Sequence, residues 1–295
     1  MRILITGGSG FIGENIAKGI LAGSPGWKVR LFDIRRPEDR ALDFTEGDVF
    51  DRAMVDAAVE GSDIVYHMVG MKDAGQSQTD PYGSFRLNVQ SLAAVLESMR
   101  AKGVRRIIFP SSAAVYGNVE TIPIPEFITP RPTNVYAWHK VMCEQLLQAY
   151  HNNYGIDYLV YRLFNVYGHG SVNVLSSFLS QAKSRRSIQG FGGMQYRDFV
   201  HIDDVMRALV RGATLDRGWN KAVNVGSGQG ITIKEVARIA ADIFPGTTVA
   251  FTEKDDFIPY HVIADISLAR ELLDFEPVSN RQKLIDTMKE MAKDV

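Results

Sequence analysis

The chain has 295 residues, 45% of them hydrophobic and 23% charged, with a formal net charge of -1 and a pI near 6.6. That is the composition of an ordinary folded globule, long enough for one large domain or a large and a small one, and it excludes a disordered chain. The balanced charge gives no reason to expect binding to nucleic acid or an anionic membrane, so the expected partners are small molecules. The single Cys143 rules out an intramolecular disulfide and falls in the helical pattern KVMCEQLL, which fits a reducing cytoplasm. Met1 runs straight into RILITGG without a separate signal segment, and no apolar run reaches about 18 residues, so neither export nor a membrane span is expected.

In chain order, RILIT at 2–6 reads as a strand and Phe11 to Leu21 as the first crossover helix. KVRLFD at 28–33 follows as a strand, VDAAVE at 55–60 as a helix, and DIVYHMV at 63–69 as a strand. A helix is expected over about 84–101, a strand at RRIIFPS (105–111), a helix over 134–154, and a strand at DYLVYRLFN (157–165). This alternation predicts an α/β fold with a parallel sheet wound on both faces, because parallel neighbours need a crossover and helices supply it. The two long helices carry apolar stripes, Phe85, Val89, Leu92 and Leu96 on one and Val135, Trp138, Met142, Leu146 and Leu147 on the other. Most of each stripe packs on the sheet, and whatever the sheet cannot cover becomes a dimer surface.

Past residue 168 the pattern loosens into a helix near 173–186, a turn at GFGG, a helix entered at HIDDV, a strand at AVNVG (222–226), and helices at 232–244 and 280–293. The expected organisation is a Rossmann-type domain over 1–168, joined again by 199–226. A smaller discontinuous lobe, 169–198 with 227–295, would supply the substrate cleft.

ITGGSGFIG joins the first strand to the first helix and carries Gly7, Gly8, Gly10 and Gly13. Glycines let a backbone turn sharply and approach a pyrophosphate, whose charge then faces free N–H groups at a helix N-terminus. The next strand ends in Asp33, the acid expected on an adenosine ribose, and a carboxylate there favours NAD over NADP. Arg35 and Arg36 just beyond keep NADP open as an alternative. Tyr136 and Lys140 in YAWHK stand four apart on a predicted helix, hence side by side, which by itself is also an ordinary neighbour pair.

Further segments complete a pattern: GDVFD at 47–51, HMVGMKDAGQS at 67–77, SSAAVYG at 111–117, RLFNVYG at 162–168, YRDFVHIDDV at 196–205 and NVGSG at 224–228. With TGGSGFIG and YAWHK, this combination resembles the extended short-chain dehydrogenase/reductase family, and within it the nucleotide-sugar epimerases, especially the UDP-galactose 4-epimerase type. The resemblance implies an NAD-dependent inversion of a secondary alcohol in a nucleotide sugar, most like C4 of a hexose, in a cytoplasmic homodimer. The alternative it leaves is a keto-sugar reductase or dehydrogenase.

Carried over by residue, Ser112, Tyr136 and Lys140 match the catalytic set. Gly7, Gly10, Phe11, Ile12, Gly13, Asp33, Asp48, Val49 and Lys72 match the cofactor contacts, and Asn165 and Arg197 the positions that hold a substrate diphosphate. In this reading the Lys140 ammonium and a bound nicotinamide cation bring the Tyr136 phenol, normally near pKa 10, into the range of a base. Each residue also has a plainer role: Ser111 and Ser112 as turn residues, Tyr116 as a packing aromatic, Lys72 as a solvated loop lysine, Arg197 as an ion-pair partner of Asp198.

Three departures stand out. Ala113 and Ala114 occupy the places where the family's 4,6-dehydratases carry an acidic pair, so elimination lacks its acid and base. The run DDFIPYHVIADIS holds no arginine where relatives carry a second phosphate ligand, leaving Lys254 or His261 as substitutes or a substrate without a diphosphate. His169 stands where proline is frequent. None of the six histidines has a metal-like spacing, and the family chemistry needs no metal.

Overall fold

A computed structural model of the chain describes residues 1–24, 26–71, 74–253 and 260–295. The strands are β1 Arg2–Thr6, β2 Lys28–Asp33, β3 Asp43–Glu46, β4 Ile64–His67, β5 Arg106–Ser112, β6 Asp157–Leu163, β7 Asn165–Tyr167, β8 Ser187–Phe191, β9 Tyr196–His201, β10 Lys221–Val225, β11 Gly230–Thr232, β12 Thr248–Thr252 and β13 His261–Val262. The helices are α1 Phe11–Gly23, α2 Arg52–Val59, α3 Ala74–Thr79, α4 Pro81–Phe85, α5 Ser91–Lys102, α6 Val135–Tyr154, α7 Val174–Arg185, α8 Ile202–Ala213, α9 Ile233–Ile243, α10 Ser267–Leu273 and α11 Arg281–Met291.

A seven-stranded sheet runs in the order β10-β6-β5-β4-β1-β2-β3, and the pairs β3–β2, β2–β1, β1–β4 and β4–β5 are parallel. The chain winds from β1 outward to β3 on one side and returns to β4 on the other, so the order reverses between β1 and β4. At such a switch point the carboxyl ends of the two strands leave a crevice, the usual ligand site of open parallel sheets. β3 was not legible as a strand, because DFTE is short and polar and lies at the sheet edge, where Arg30 pairs with Asp43 across the strands at 3.4 Å.

The expected helix at 84–101 is present as one run, α4 continuing through a π-helical turn at Arg86–Gln90 into α5, which is capped by Gly103 with φ 73°. Its apolar stripe divides. Leu92 and Leu96 are fully buried in the core with Phe109, Ile107 and Leu147, whereas Phe85 remains 40% exposed. Helix α6 starts where Asn134 accepts the Ala137 amide at 2.9 Å and stops at Gly155 with φ 65°. On it Trp138 is 51% and Met142 41% exposed, so that part of its stripe does not face the sheet.

Contacts divide the chain into two compact units, the first made of Met1–Val115, Pro132–Arg162 and Met206–Val223, the second of Tyr116–Arg131, Leu163–Val205 and Asn224–Val295. In the first, two tyrosines end on backbone carbonyls, Tyr66 on Leu209 at 2.8 Å and Tyr161 on Ala208 at 2.9 Å, which satisfies otherwise orphaned phenols in the core. In the second, Tyr167, Leu175, Phe178, Val236, Ala240 and Met288 form a separate core. Strands β7, β11 and β13 all pair with β9 there, and β8 pairs with β12. Asn224 ties this unit together, accepting from the Tyr116 hydroxyl at 2.7 Å and donating to the carbonyls of Ile124 and Asp265 at 2.8 and 3.2 Å. Tyr116 is thus a packing aromatic with its hydroxyl satisfied.

Candidate active site

The glycine loop turns between β1 and α1 because Gly7, Gly8 and Gly13 sit where no Cβ fits. Gly7 has φ 69°, and a Cβ on it would lie 2.6 Å from the Val69 nitrogen and 2.7 Å from the Met68 carbonyl carbon, in the chain leaving β4. A Cβ on Gly13 would lie 2.8 Å from the Gly7 oxygen. The loop therefore lies directly against the backbone of the neighbouring strand end, at the switch point. Gly10 is the N-cap of α1 and offers no side-chain bond to the helix, so the first amides of α1, from Phe11 and Ile12 on, have no side-chain cap. Asp33 closes the site on the β2 side, its Oδ2 accepting from the Ser9 amide at 3.1 Å and its Oδ1 from the Arg35 amide at 3.2 Å. Asp48 caps the following turn by accepting the Phe50 amide at 3.0 Å, and Val49 is buried in the core of this unit. Lys72 lies outside the described residues.

Ser112 ends β5, and its Oγ accepts the Ala114 amide at 3.2 Å as the chain enters a short 3₁₀ turn. Tyr136 is on the first turn of α6, and the Ser112 hydroxyl at the end of β5 is near enough to its phenol to lower the pKa against the effect of burial. One turn on, the Lys140 ammonium is 5.9 Å from the centre of the Tyr136 ring and 4.5 Å from that of Phe109. It donates to the Pro110 carbonyl at 2.9 Å.

The expected effect of Lys140 on the phenol needs correcting for the protein on its own. Burial pushes Tyr136 up to about 12, and the Ser112 hydrogen bond is what opposes it. Lys140 is itself buried, which lowers its ammonium, while Cys143 and Glu144 act in the opposite direction. The phenol without a bound cationic ring is therefore neutral.

Several residues around this set escaped the motif reading. Glu144, four residues past Lys140, accepts from Ser111 Oγ at 2.5 Å and from Arg162 at 2.7 and 3.2 Å. A near-buried ion pair between α6 and β6 thus holds the residue adjoining Ser112; its signal was the continued helical spacing from Tyr136 through Lys140 to Glu144. Asn88, in the π-helical turn, donates to Ser84 O at 3.0 Å, but its buried Oδ1 has no partner among the described residues. A Cβ on Gly70 would lie 2.7 Å from that Oδ1 and 3.8 Å from Lys140 Nζ, so an open acceptor and the ammonium flank one spot at the end of β4.

In the second unit Asn165 donates to the Asp198 carbonyl at 3.1 Å, and Arg197 to the Tyr196 carbonyl at 2.7 Å. The alternative that Arg197 pairs with Asp198 fails: the Asp198 carboxylate is fully buried and accepts from Ser227 N and Oγ, both at 2.6 Å, from Gly228 N at 2.9 Å and from Ala264 N at 3.1 Å. Among the described residues the Arg197 guanidinium has no carboxylate partner, and burial brings it down to about 10. His261 stacks on Tyr196 at 5.2 Å, Lys254 lies outside the described residues, and His169 pairs with Asp294. No three His, Cys, Asp or Glu side chains among the described residues are grouped to hold a metal ion, and no helix among them is long and apolar enough to cross a membrane.

Geometry of this kind, with a glycine turn packed into a sheet switch point and an acid on the next strand, is that of a dinucleotide-binding protein of the Rossmann class. The chain belongs to the NAD dependent epimerase/dehydratase family, whose sequence model matches residues 3–226. It is 29% identical over 321 residues to a UDP-glucose 4-epimerase of Lacticaseibacillus casei, covering 97% of this chain and 95% of the relative. Among solved structures it resembles the UDP-glucose 4-epimerase of Thermotoga maritima with UDP-glucose, at a TM-score of 0.89 and 27% identity over 99% of this chain and 98% of the other. The UDP-glucose 4-epimerase of Thermus thermophilus in complex with NAD matches at a TM-score of 0.89 and 25% identity, with 99% of each chain covered.

Proposed function

We propose that this protein is an NAD-dependent epimerase that inverts a secondary alcohol of a nucleotide sugar, at C4 of a UDP-glucose or UDP-galactose type of hexose. The observation that carries the reading is the approach of the Ser112 hydroxyl to the Tyr136 phenol, with the Lys140 ammonium 5.9 Å from the Tyr136 ring, together with a glycine loop in which Gly7 packs against the backbone leaving β4. The residues present fit NAD: Asp33 offers a carboxylate to a free 2′-hydroxyl, the α1 amides face a pyrophosphate, and the open Asn88 Oδ1 accepts from a hydroxyl or amide of the ligand. A bound NAD would supply reversible hydride acceptance at the carbinol carbon, the chemistry that an inversion through a 4-keto sugar requires. Tyr136 Oη receives the hydroxyl proton and gives it back, and Ser112 Oγ hydrogen-bonds the same substrate oxygen. Lys140 holds positive charge beside the phenol. We assign the cofactor to the first compact unit and the nucleotide diphosphate to Asn165 and Arg197 of the second.

The test is a coupled assay for interconversion of UDP-galactose and UDP-glucose, together with mass spectrometry of ligands released from the purified protein. An epimerase purifies with NAD and turns over without net change in NADH absorbance. Stoichiometric consumption of NADH would instead establish the keto-sugar reductase. We further propose a cytoplasmic homodimer formed through the face of α4 and α6 where Tyr82, Phe85, Trp138 and Met142 are exposed. Sedimentation showing monomer alone at micromolar concentration would remove the dimer.

A further inference from the structure

Glu14 lies in the first turn of α1, one residue past Gly13, and is a buried charged side chain at the edge of the glycine loop. A buried carboxylate is costly unless its oxygens are occupied, and here both are. Oε1 accepts from the Lys18 ammonium at 2.9 Å and from the Asp39 amide at 3.3 Å, and Oε2 from the Glu38 amide at 3.3 Å. The Glu14 hydrogen bond raises the Lys18 ammonium, and the charges of Asp39 and Glu38 add to the effect.

The connection between β2 and β3 is thereby fastened to α1 at residues 38 and 39. Its other end is fastened to the glycine loop: Ser9 donates its amide to Asp33 at 3.1 Å and its hydroxyl to the Arg35 carbonyl at 2.5 Å. Arg35 is part of the first of these two sets of bonds, and Arg36 lies between them with its guanidinium 5.8 Å over the Phe44 ring.

We propose that Glu14 is a positioning residue for the ADP half of the dinucleotide, holding residues 34–41 in place before the ligand arrives so that Asp33 already presents its carboxylate. The proposal rests on the dinucleotide-binding reading above. Without the fastening, ordering this connection would have to accompany binding, and that conformational cost would come out of the affinity.

The experiment removes copurified NAD and then measures binding of NAD, ADP-ribose and UDP by calorimetry, and amide hydrogen exchange of the ligand-free protein, for wild type, Glu14→Ala, Glu14→Gln and Lys18→Met. Glu14→Ala should weaken NAD and ADP-ribose by roughly tenfold each, leave UDP unchanged and speed exchange at residues 36–41. A role in overall stability alone would not separate ADP-ribose from UDP. Glu14→Gln, which keeps one oxygen acceptor, covers the case in which the alanine variant does not fold and should show the same pattern to a smaller degree. Lys18→Met keeps both amide bonds and should bind within about twofold of wild type. Unchanged ADP-ribose affinity in both Glu14 variants, or an equal loss in Lys18→Met, would overturn the proposal. A wild type that binds neither NAD nor ADP-ribose would overturn the dinucleotide reading itself.

Discussion

Replacing Tyr136 by Phe removes one oxygen and almost no volume, which makes it the sharpest probe of the site. With the phenol pushed up to about 12 by burial, holding it as phenolate at neutral pH costs about 7 kcal/mol in the protein alone. A bound cation must supply most of that. Turnover of UDP-galactose by Tyr136→Phe should fall by about 10²–10⁴-fold, the ordinary contribution of a positioned proton-transfer group, with NAD binding retained. The fold should lose only the Ser112 bond, about 0.5–1.5 kcal/mol. The linkage has a definite sign: a phenol raised from 10.0 to about 12 on folding stabilises the protein fully below pH 10, and the contribution is lost as pH rises toward 12. Over that interval wild type should lose up to about 3 kcal/mol that Tyr136→Phe keeps, so the variant gains ground in alkaline melts. The difference in tyrosinate absorbance between the two proteins should titrate in the same alkaline range without NAD and move downward with it. Turnover in Tyr136→Phe within a few-fold of wild type would refute the mechanism.

Lys140→Met removes the cation 5.9 Å from the Tyr136 ring, so the pH at which activity appears should move upward in the NAD-saturated enzyme; a profile that stays in place argues against its electrostatic role. Glu144→Ala removes the carboxylate that the buried Arg162 pairs with at 2.7 Å and should lower stability by about 3–5 kcal/mol, read from chemical denaturation, with the double variant Glu144→Gln/Arg162→Met recovering a large part of it. Arg197→Ala should raise KM for a nucleotide sugar by roughly ten- to two-hundredfold, the worth of a charge-assisted phosphate contact, with a much smaller change in kcat; an unchanged KM would move the diphosphate elsewhere.

What was legible in the sequence follows from which interactions are local. The glycine loop, Asp33 and the helical spacing of Tyr136 and Lys140 are short-range patterns, and β1, β2, β5 and α6 lie within a residue of where their apolar runs put them. The helix expected over 84–101 runs without a break from Pro81 to Lys102, but its periodicity does not announce the π turn at Arg86–Gln90, which carries Asn88. Edge strand β3 has no apolar run to announce it. The state of Tyr136 was not legible at all, since burial, which dominates it, depends on the folded surroundings rather than on the neighbour four residues away.

The same distinction explains how Lys140 in the first unit and Arg197 in the second keep their charge. Sequence proximity suggested that Arg197 pairs with Asp198 and left Glu144, one turn beyond Lys140, without a role. In the fold both carboxylates are committed elsewhere, Asp198 to backbone and serine donors in the loops around residues 227 and 264, Glu144 to Ser111 and Arg162. Lys140 and Arg197 instead donate to the carbonyls of Pro110 and Tyr196. A carboxylate partner would neutralise each cation and compete with a phenolate or a phosphate, whereas a carbonyl orients the donor and leaves the formal charge intact. Burial lowers the pKa of both groups, opposed at Lys140 by the charge of Glu144, and a buried cation that donates to a carbonyl keeps the formal charge that the roles proposed above require.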